Sequence, residues 1–178
     1  NAFVLIAFRL PDPVTTVIGR RYPPAERVWW REEGAQSTVS DHVRPGAGRM
    51  VMYLDGLHQA NDSHDMVRTH REIGLLPMAL HPNPARALVI GLGAGATAGA
   101  VSRHEGSQIT VVELSPSIVR AAAHFNHVNN RVTKHPAVQV LVNDARNHLL
   151  VTRDRYDVIT ADIIQPIHAG AGNLYSRE

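Results

Sequence analysis

The densest chemical signal in the chain is Gly91-Leu92-Gly93-Ala94-Gly95-Ala96. Glycines at alternate positions let the backbone turn sharply and approach a ligand, with the N–H groups of a following helix behind them. The apolar run Ala87 to Ile90 precedes the turn and a helical pattern from Thr97 to His104 follows, so Gly91, Gly93 and Gly95 are candidate ligand-binding residues. Glu113 closes a second apolar run 20 residues after Gly93. An acid there accepts hydrogen bonds from both hydroxyls of a ribose. NAD and S-adenosylmethionine fit this much equally. Asp144-Ala145, just after a third run, puts a carboxylate where the exocyclic amine of an adenine would arrive. A nucleotide laid across three strand ends, with both acids in use, is the S-adenosylmethionine arrangement. Asp144 is also a good helix N-cap, and the two roles are compatible. Asp162 follows a fourth run, at the carboxyl edge of the same sheet. The Gly- and Ala-rich stretch from Ile163 to Asn173 reads as a lid over the site. His168, inside it, either orients a substrate or donates a proton, or is simply a polar loop residue. His70 either faces the crevice or is half-buried on a helix. His124 and His127 are spaced as a possible metal pair, but no third ligand lies nearby in sequence, so no metal site is expected.

The elements that would position these residues follow from hydropathy patterning. Residues 9–26 are rich in Pro and Arg, and residues 1–26 read as a linker or arm. Residues 27–60 carry three short strand patterns, Val28 to Arg31, Gln36 to His42 and Met50 to Leu54, separated by Gly34 and the Pro45 to Gly48 turn. This predicts a small antiparallel meander, too small to be stable alone, with Trp29 and Trp30 as packing residues. From residue 61 a Rossmann-like domain is predicted. It opens with a helix over His64 to Leu80, with Asp62 or Ser63 as N-cap. Strands at Ala87 to Ile90, Gln108 to Glu113, Val138 to Asn143 and Tyr156 to Ala161 then alternate with helices at Thr97 to His104, Pro116 to Phe125 and Ala145 to Val151. That β-α-β order implies an α/β fold with a parallel sheet and right-handed crossovers.

Composition narrows the function class. The chain has 178 residues, 44% apolar and 19% charged, so a buried core is within reach. The absence of cysteine excludes disulfides, thiolate zinc sites, iron–sulfur clusters and a cysteine nucleophile, and fits a reducing compartment. Net charge is +2, and 17 of the 18 basic residues are Arg, scattered rather than clustered. Nucleic acid is therefore not an expected partner. The run Ala2 to Phe8 is too short to span a bilayer. It reads as a buried strand or helix start, or as the tail of an upstream apolar segment.

Together these motifs resemble a known family. Leu54-Asp55-Gly56 with Gln59, the following helix, His81-Pro82-Asn83-Pro84, the Gly91 turn, Val112-Glu113, Asp144-Ala145 and Tyr156-Asp157-Val158-Ile159 are similar to spermidine synthase and its aminopropyltransferase relatives. The resemblance runs from about Trp29 to Tyr175. It implies a β-meander followed by a Rossmann-like domain, a homodimer, and a cytoplasmic enzyme that transfers the aminopropyl group of decarboxylated S-adenosylmethionine to putrescine, releasing methylthioadenosine. Carried over by position, Gln59 and Glu113 hold the nucleoside, with His70 beside them. Asp144 and Ala145 receive the adenine, and Asp162 takes a proton from the attacking amine. The nucleoside is a substrate; no prosthetic group is implied. The resemblance also implies further strands past Ala161, so the chain is expected to be a segment of a longer protein, conceivably the cytoplasmic domain of a membrane protein.

Departures from the family pattern bear on the acceptor. The glycine turn has Ala94 where the family has an acid, and Gln165 stands where a second acid follows the catalytic one. Thr69 occupies the place of a Tyr before His70. A polycationic acceptor needs carboxylates, because a desolvated cation without a partner is costly. Loss of the acid at Ala94 also removes repulsion against a substrate carboxylate. Intact S-adenosylmethionine then becomes a candidate substrate, its own carboxylate displacing methylthioadenosine to give homoserine lactone. A methyltransferase and a non-catalytic nucleoside-binding module are the remaining alternatives.

Overall fold

The computed structural model describes residues 27–44, 46 and 48–161. The predicted arm, Asp162, Gln165, His168 and the lid lie outside the described residues. Two four-stranded sheets make up the described part. The first is an antiparallel meander of β1 (Arg27–Glu33), β2 (Thr38–Arg44), β3 (Arg49–Leu54) and β4 (Leu57–Asn61), paired in sequence order. The sequence pattern yields three of these strands and misses β4. The overlooked signal is Asp55-Gly56, a two-residue hairpin turn with both residues at positive φ (48° and 76°). Asp55 also clamps the hairpin to β2, its N–H donating to the Thr38 carbonyl and its carboxylate accepting the Thr38 N–H at 2.8 Å.

The second sheet is parallel, in the order β7-β6-β5-β8, from β5 (Arg86–Ile90), β6 (Gln108–Glu113), β7 (Val138–Val142) and β8 (Val158–Ala161). The chain moves outward from β5 to β6 and β7, then returns to the other side of β5. That reversal puts a crevice at the carboxyl end of β5, where open α/β sheets bind ligands. Side chains alternate along β5. Ala87 and Val89 join the main core, while Leu88 and Ile90 join a second cluster with Val112 on the opposite face. Burial on both faces explains the unbroken apolar run.

Helix α1 (His64–Leu80) starts at Ser63, whose Oγ accepts the Met66 N–H at 3.4 Å. Pro77, inside the helix, has no N–H for the Ile73 carbonyl. The Thr160 hydroxyl of β8 donates to that carbonyl at 3.2 Å, so the vacant acceptor becomes a link between helix and sheet. Helix α2 (Ala96–Val101) is buried along its whole length and ends before the predicted His104, because Ser102 to His104 pass into a turn. Helix α3 (Pro116–Ala121) tightens into a 3₁₀ turn over Ala122–Phe125, and α4 (Ala145–Val151) follows β7.

The two sheets share one core. Val39, Met52 and Ala60 of the meander cluster with Ile118, Ala121, Ala122 and Phe125, and half-buried Trp30 packs on them. Around this contact three carboxylates, two in the meander and Asp62 just after it, meet partners in the segment 117–127. Glu32 accepts from Ser117 at 2.7 Å and from the Arg120 guanidinium, which draws its pKa down to about 2. Asp41 meets His124 Nδ1 at 2.6 Å, and Asp62 meets His127 Nε2 at 2.9 Å. The two histidines thus serve separate carboxylates instead of converging on one ion. Among the described residues no group of three or more metal-ligating side chains is gathered. No described helix is long and apolar enough to cross a membrane.

Asp41 is fully buried, and desolvation lifts its pKa from 3.8 to about 6 against the opposing pull of His124. The folded state therefore holds this proton more tightly than the unfolded chain. The resulting stabilisation is complete below pH 3.8 and is lost as pH rises through about 6. The loss amounts to about 3 kcal/mol at most. Asp41→Asn should flatten this segment of the stability profile, measured by urea unfolding at intervals from pH 4 to pH 7. An unchanged slope in the variant would assign the pH dependence to another group.

Candidate nucleoside site

The site is built outward from Glu113. Its carboxylate is 6% exposed at the end of β6. One oxygen accepts the Leu92 N–H at 2.8 Å and the other the Ser115 N–H at 2.9 Å. Burial raises its pKa; backbone donors from Ser115, Leu92, Gly93 and Leu114 oppose the rise. The carboxylate thereby ties the turn after β5 to the turn after β6. Its oxygens serve the two turns, and Glu113 itself is not among the described residues that line the cleft beside the glycine turn.

The turn itself runs in positive φ at Gly91, Gly93 and Gly95 (81°, 52° and 84°). Gly91 N–H extends the ladder to the Val112 carbonyl at 2.8 Å, and Gly95 N–H closes onto Leu92 at 2.8 Å. Gly95 is required twice over. Its φ is left-handed, and a Cβ there would lie 3.0 Å from both Asn129 Nδ2 and Val132 Cγ1.

Gln59, His70, Gly93 and Gly95 all line one small cleft, with Ala94, Asn61 and Val128. Three separate elements therefore converge: β4 brings Gln59 and Asn61, α1 brings His70, and the glycine turn forms the opposite wall. Half-buried His70 has Nδ1 3.5 Å from the Thr97 hydroxyl of α2. Thr69, its neighbour, is exposed and turns its hydroxyl back onto the Asp65 carbonyl at 3.0 Å. Ala94 is buried and leaves the wall of the cleft apolar at that point.

Other candidates stand apart. Gly91 begins the turn without lining the cleft. Asp144 and Ala145 are half-buried beyond the end of β7, two strands away from β5. Asp144 Oδ1 caps α4 by accepting the Asn147 N–H at 2.8 Å, and its second oxygen remains as an acceptor. The described chain ends at Ala161, which pairs with Ile90, the residue before Gly91. Sequence reasoning overlooked Asn61 and Val128 as lining residues, together with Asn129, which braces the turn from behind. The Asp55-Gly56 hairpin signal would have placed Asn61 on a strand beside Gln59. Val128 and Asn129 lie in a segment with no periodic pattern.

A meander joined to an open parallel sheet, with a glycine turn and a strand-end acid at the switch point, defines an α/β protein of the Rossmann-like type. Residues 66–178 match the family model for the spermine/spermidine synthase domain, and the chain belongs to that family. A polyamine aminopropyltransferase of Serratia proteamaculans is 31% identical over 153 residues, covering 84% of this chain and 52% of that protein. A polyamine aminopropyltransferase of Yersinia pseudotuberculosis is 30% identical over 153 residues, covering 84% and 51%. The fold is also that of a spermidine synthase crystallised with the transition-state analogue AdoDATO (TM-score 0.75, 23% identity, 84% of this chain and 51% of that one). A spermidine synthase from Thermotoga maritima superposes with TM-score 0.68 at 23% identity, over 76% of this chain and 48% of that one. The chain spans about half the length of these relatives.

Gly95→Ala should cost about 2 kcal/mol or more, from a left-handed backbone and a crowded Cβ together. Denaturant unfolding checks this, and a loss below about 0.5 kcal/mol would show that the turn relaxes freely.

Proposed function

We propose that this chain binds S-adenosylmethionine or its decarboxylated form and releases methylthioadenosine by displacement at a sulfonium-linked carbon. The observation that carries the reading is the convergence of Gln59, His70 and the glycine turn on one cleft, with buried Glu113 bonded to the turn's Leu92 N–H. The relatives' names, polyamine aminopropyltransferase and spermidine synthase, support the same chemistry. In this reading Glu113 and Gln59 accept from the ribose hydroxyls and Asp144 receives the adenine amine. In aminopropyl transfer an amine nitrogen attacks the carbon bonded to the sulfonium. The carbon–sulfur bond breaks, its electron pair stays on sulfur, and Asp162 takes the amine's proton. Orientation of the nucleophile supplies much of the rate, since the sulfonium leaves as a neutral thioether.

One observation favours a second reading, a lyase acting on intact S-adenosylmethionine. The described residues lining the cleft are amides, an imidazole, glycines and small apolar groups, with buried Ala94 in the wall. Such a lining accommodates a substrate carboxylate better than a free ammonium. The α-carboxylate oxygen would then attack its own chain at the sulfonium-linked carbon, giving homoserine lactone and methylthioadenosine.

Mass spectrometry after incubation with each sulfonium, with and without putrescine, separates the readings. Spermidine formed from the decarboxylated substrate supports transfer, and homoserine lactone from the intact one supports the lyase. Methylthioadenosine absent from every mixture would refute both. Glu113→Ala should weaken methylthioadenosine binding about tenfold or more, the scale of hydrogen bonds to a charged group. Asp162→Asn should lower kcat more than it weakens binding. Equal losses would give Asp162 a binding role in place of a proton-accepting one.

A further inference from the structure

Behind the glycine turn lies Asn129, fully buried in the segment after the 3₁₀ turn. Its side-chain Nδ2 donates to two carbonyls, Ala94 at 2.9 Å and Ala122 at 2.8 Å. Two carbonyl acceptors fix which end of the amide faces them, because only the NH₂ end donates. The first bond holds the cleft wall itself, since Ala94 lines the cleft. The second anchors it to the segment that carries His124, the partner of Asp41 in the meander.

Three further features show that the surrounding backbone is shaped around this contact. The Asn129 carbonyl presses so closely on α2 that a Cβ at Gly99 would lie 2.2 Å from it. Asn130 and Arg131, the next two residues, both adopt left-handed backbone (φ 56° and 52°), a conformation that asparagine tolerates and that is uncommon for arginine. Asn130 Nδ2 then donates to the Ser102 hydroxyl at 2.9 Å, so the same segment also holds the C-terminal end of α2. Meanwhile Asn129 Oδ1 is buried and accepts no hydrogen bond from the described residues. An unmet buried acceptor is costly, and an apolar side chain of similar size would avoid that cost if packing were the only requirement. What an apolar residue cannot provide is the donor to Ala94.

We propose that Asn129 is a positioning residue for the cleft. By donating to the Ala94 carbonyl it sets the curvature of the Gly91 to Gly95 turn against which the nucleoside rests. The consequence for affinity builds on the nucleoside reading given above, whereas the hold on the turn does not.

The test uses the full chain and three variants. Asn129→Leu removes the donor at similar size, Asn129→Asp replaces it with an acceptor at the same shape, and Asn130→Ala loosens the same segment without touching the turn. Methylthioadenosine is titrated by calorimetry well below each unfolding temperature, and hydrogen exchange of residues 91–97 is followed without ligand. Both Asn129 variants should bind about tenfold more weakly, the scale of one hydrogen bond, with faster exchange confined to 91–97. Asn130→Ala should unfold at a lower temperature with unchanged affinity. Affinity within about twofold of the parent in a folded Asn129 variant would overturn the proposal. So would exchange raised uniformly across the chain, or failure of both Asn129 variants to fold, either of which makes the residue one of global stability. If the parent itself does not bind methylthioadenosine, the nucleoside reading fails, and exchange at 91–97 still decides whether Asn129 holds the turn.

Discussion

The buried carboxylate of Glu113 is the constraint on which the rest of the site depends. Placing a carboxylate at the end of a parallel strand, 6% exposed, is unfavourable unless donors surround it. The donors come from backbone: Leu92 in the turn after β5 and Ser115 in the turn after β6. The cost of burying the charge is thus offset only when both turns are in place. That couples the position of the glycine turn to the register of β5 against β6, in which Ile90 sits opposite Val112. One acid thus organises both turns at the crevice.

The second requirement is that the meander deliver β4 to that crevice. Two kinds of interaction hold it there. The apolar contact of Val39, Met52 and Ala60 with Ile118, Ala121 and Phe125 supplies adhesion without direction. The pairs Glu32–Arg120, Asp41–His124 and Asp62–His127 supply direction, since hydrogen bonds at three separate points fix how the surfaces meet. Exposed pairs of this kind contribute little free energy. Asp41 differs because it is buried with one carboxylate oxygen unmet, so its contact with His124 matters more. Membership of the spermine/spermidine synthase family agrees with this architecture, in which a small antiparallel sheet shares its core with a Rossmann-like parallel sheet.

Much of this was readable from residue order. The parallel sheet declares itself through apolar runs at β5, β6 and β7, the Gly91 turn, and a capping Asp144. Each is a local pattern with a local cause: two-sided burial, positive φ, or an N-cap acceptor. Helix α1 shows the same, with Ser63 as its cap. The strand β4 escaped because its residues, Leu57-His58-Gln59-Ala60-Asn61, are mostly polar and only half-buried, so alternation is faint. Its sole strong cue was the Asp55-Gly56 turn.

The sequence by itself determined the fold class and the family, because these depend on periodicity and on residue types fixed by local backbone geometry, and it marked a set of candidate site residues. Tertiary structure decided which of them meet. Gln59 and His70 share a cleft with Gly93 and Gly95 only because β4 and α1 dock against the turn, while Asp144 stays two strands away. His124 and His127 look like a pair in sequence, yet each takes a different carboxylate from the meander. Asn129 has no motif at all. Its role exists only because the chain folds it behind Ala94, and no one-dimensional pattern records which carbonyl a buried amide will find.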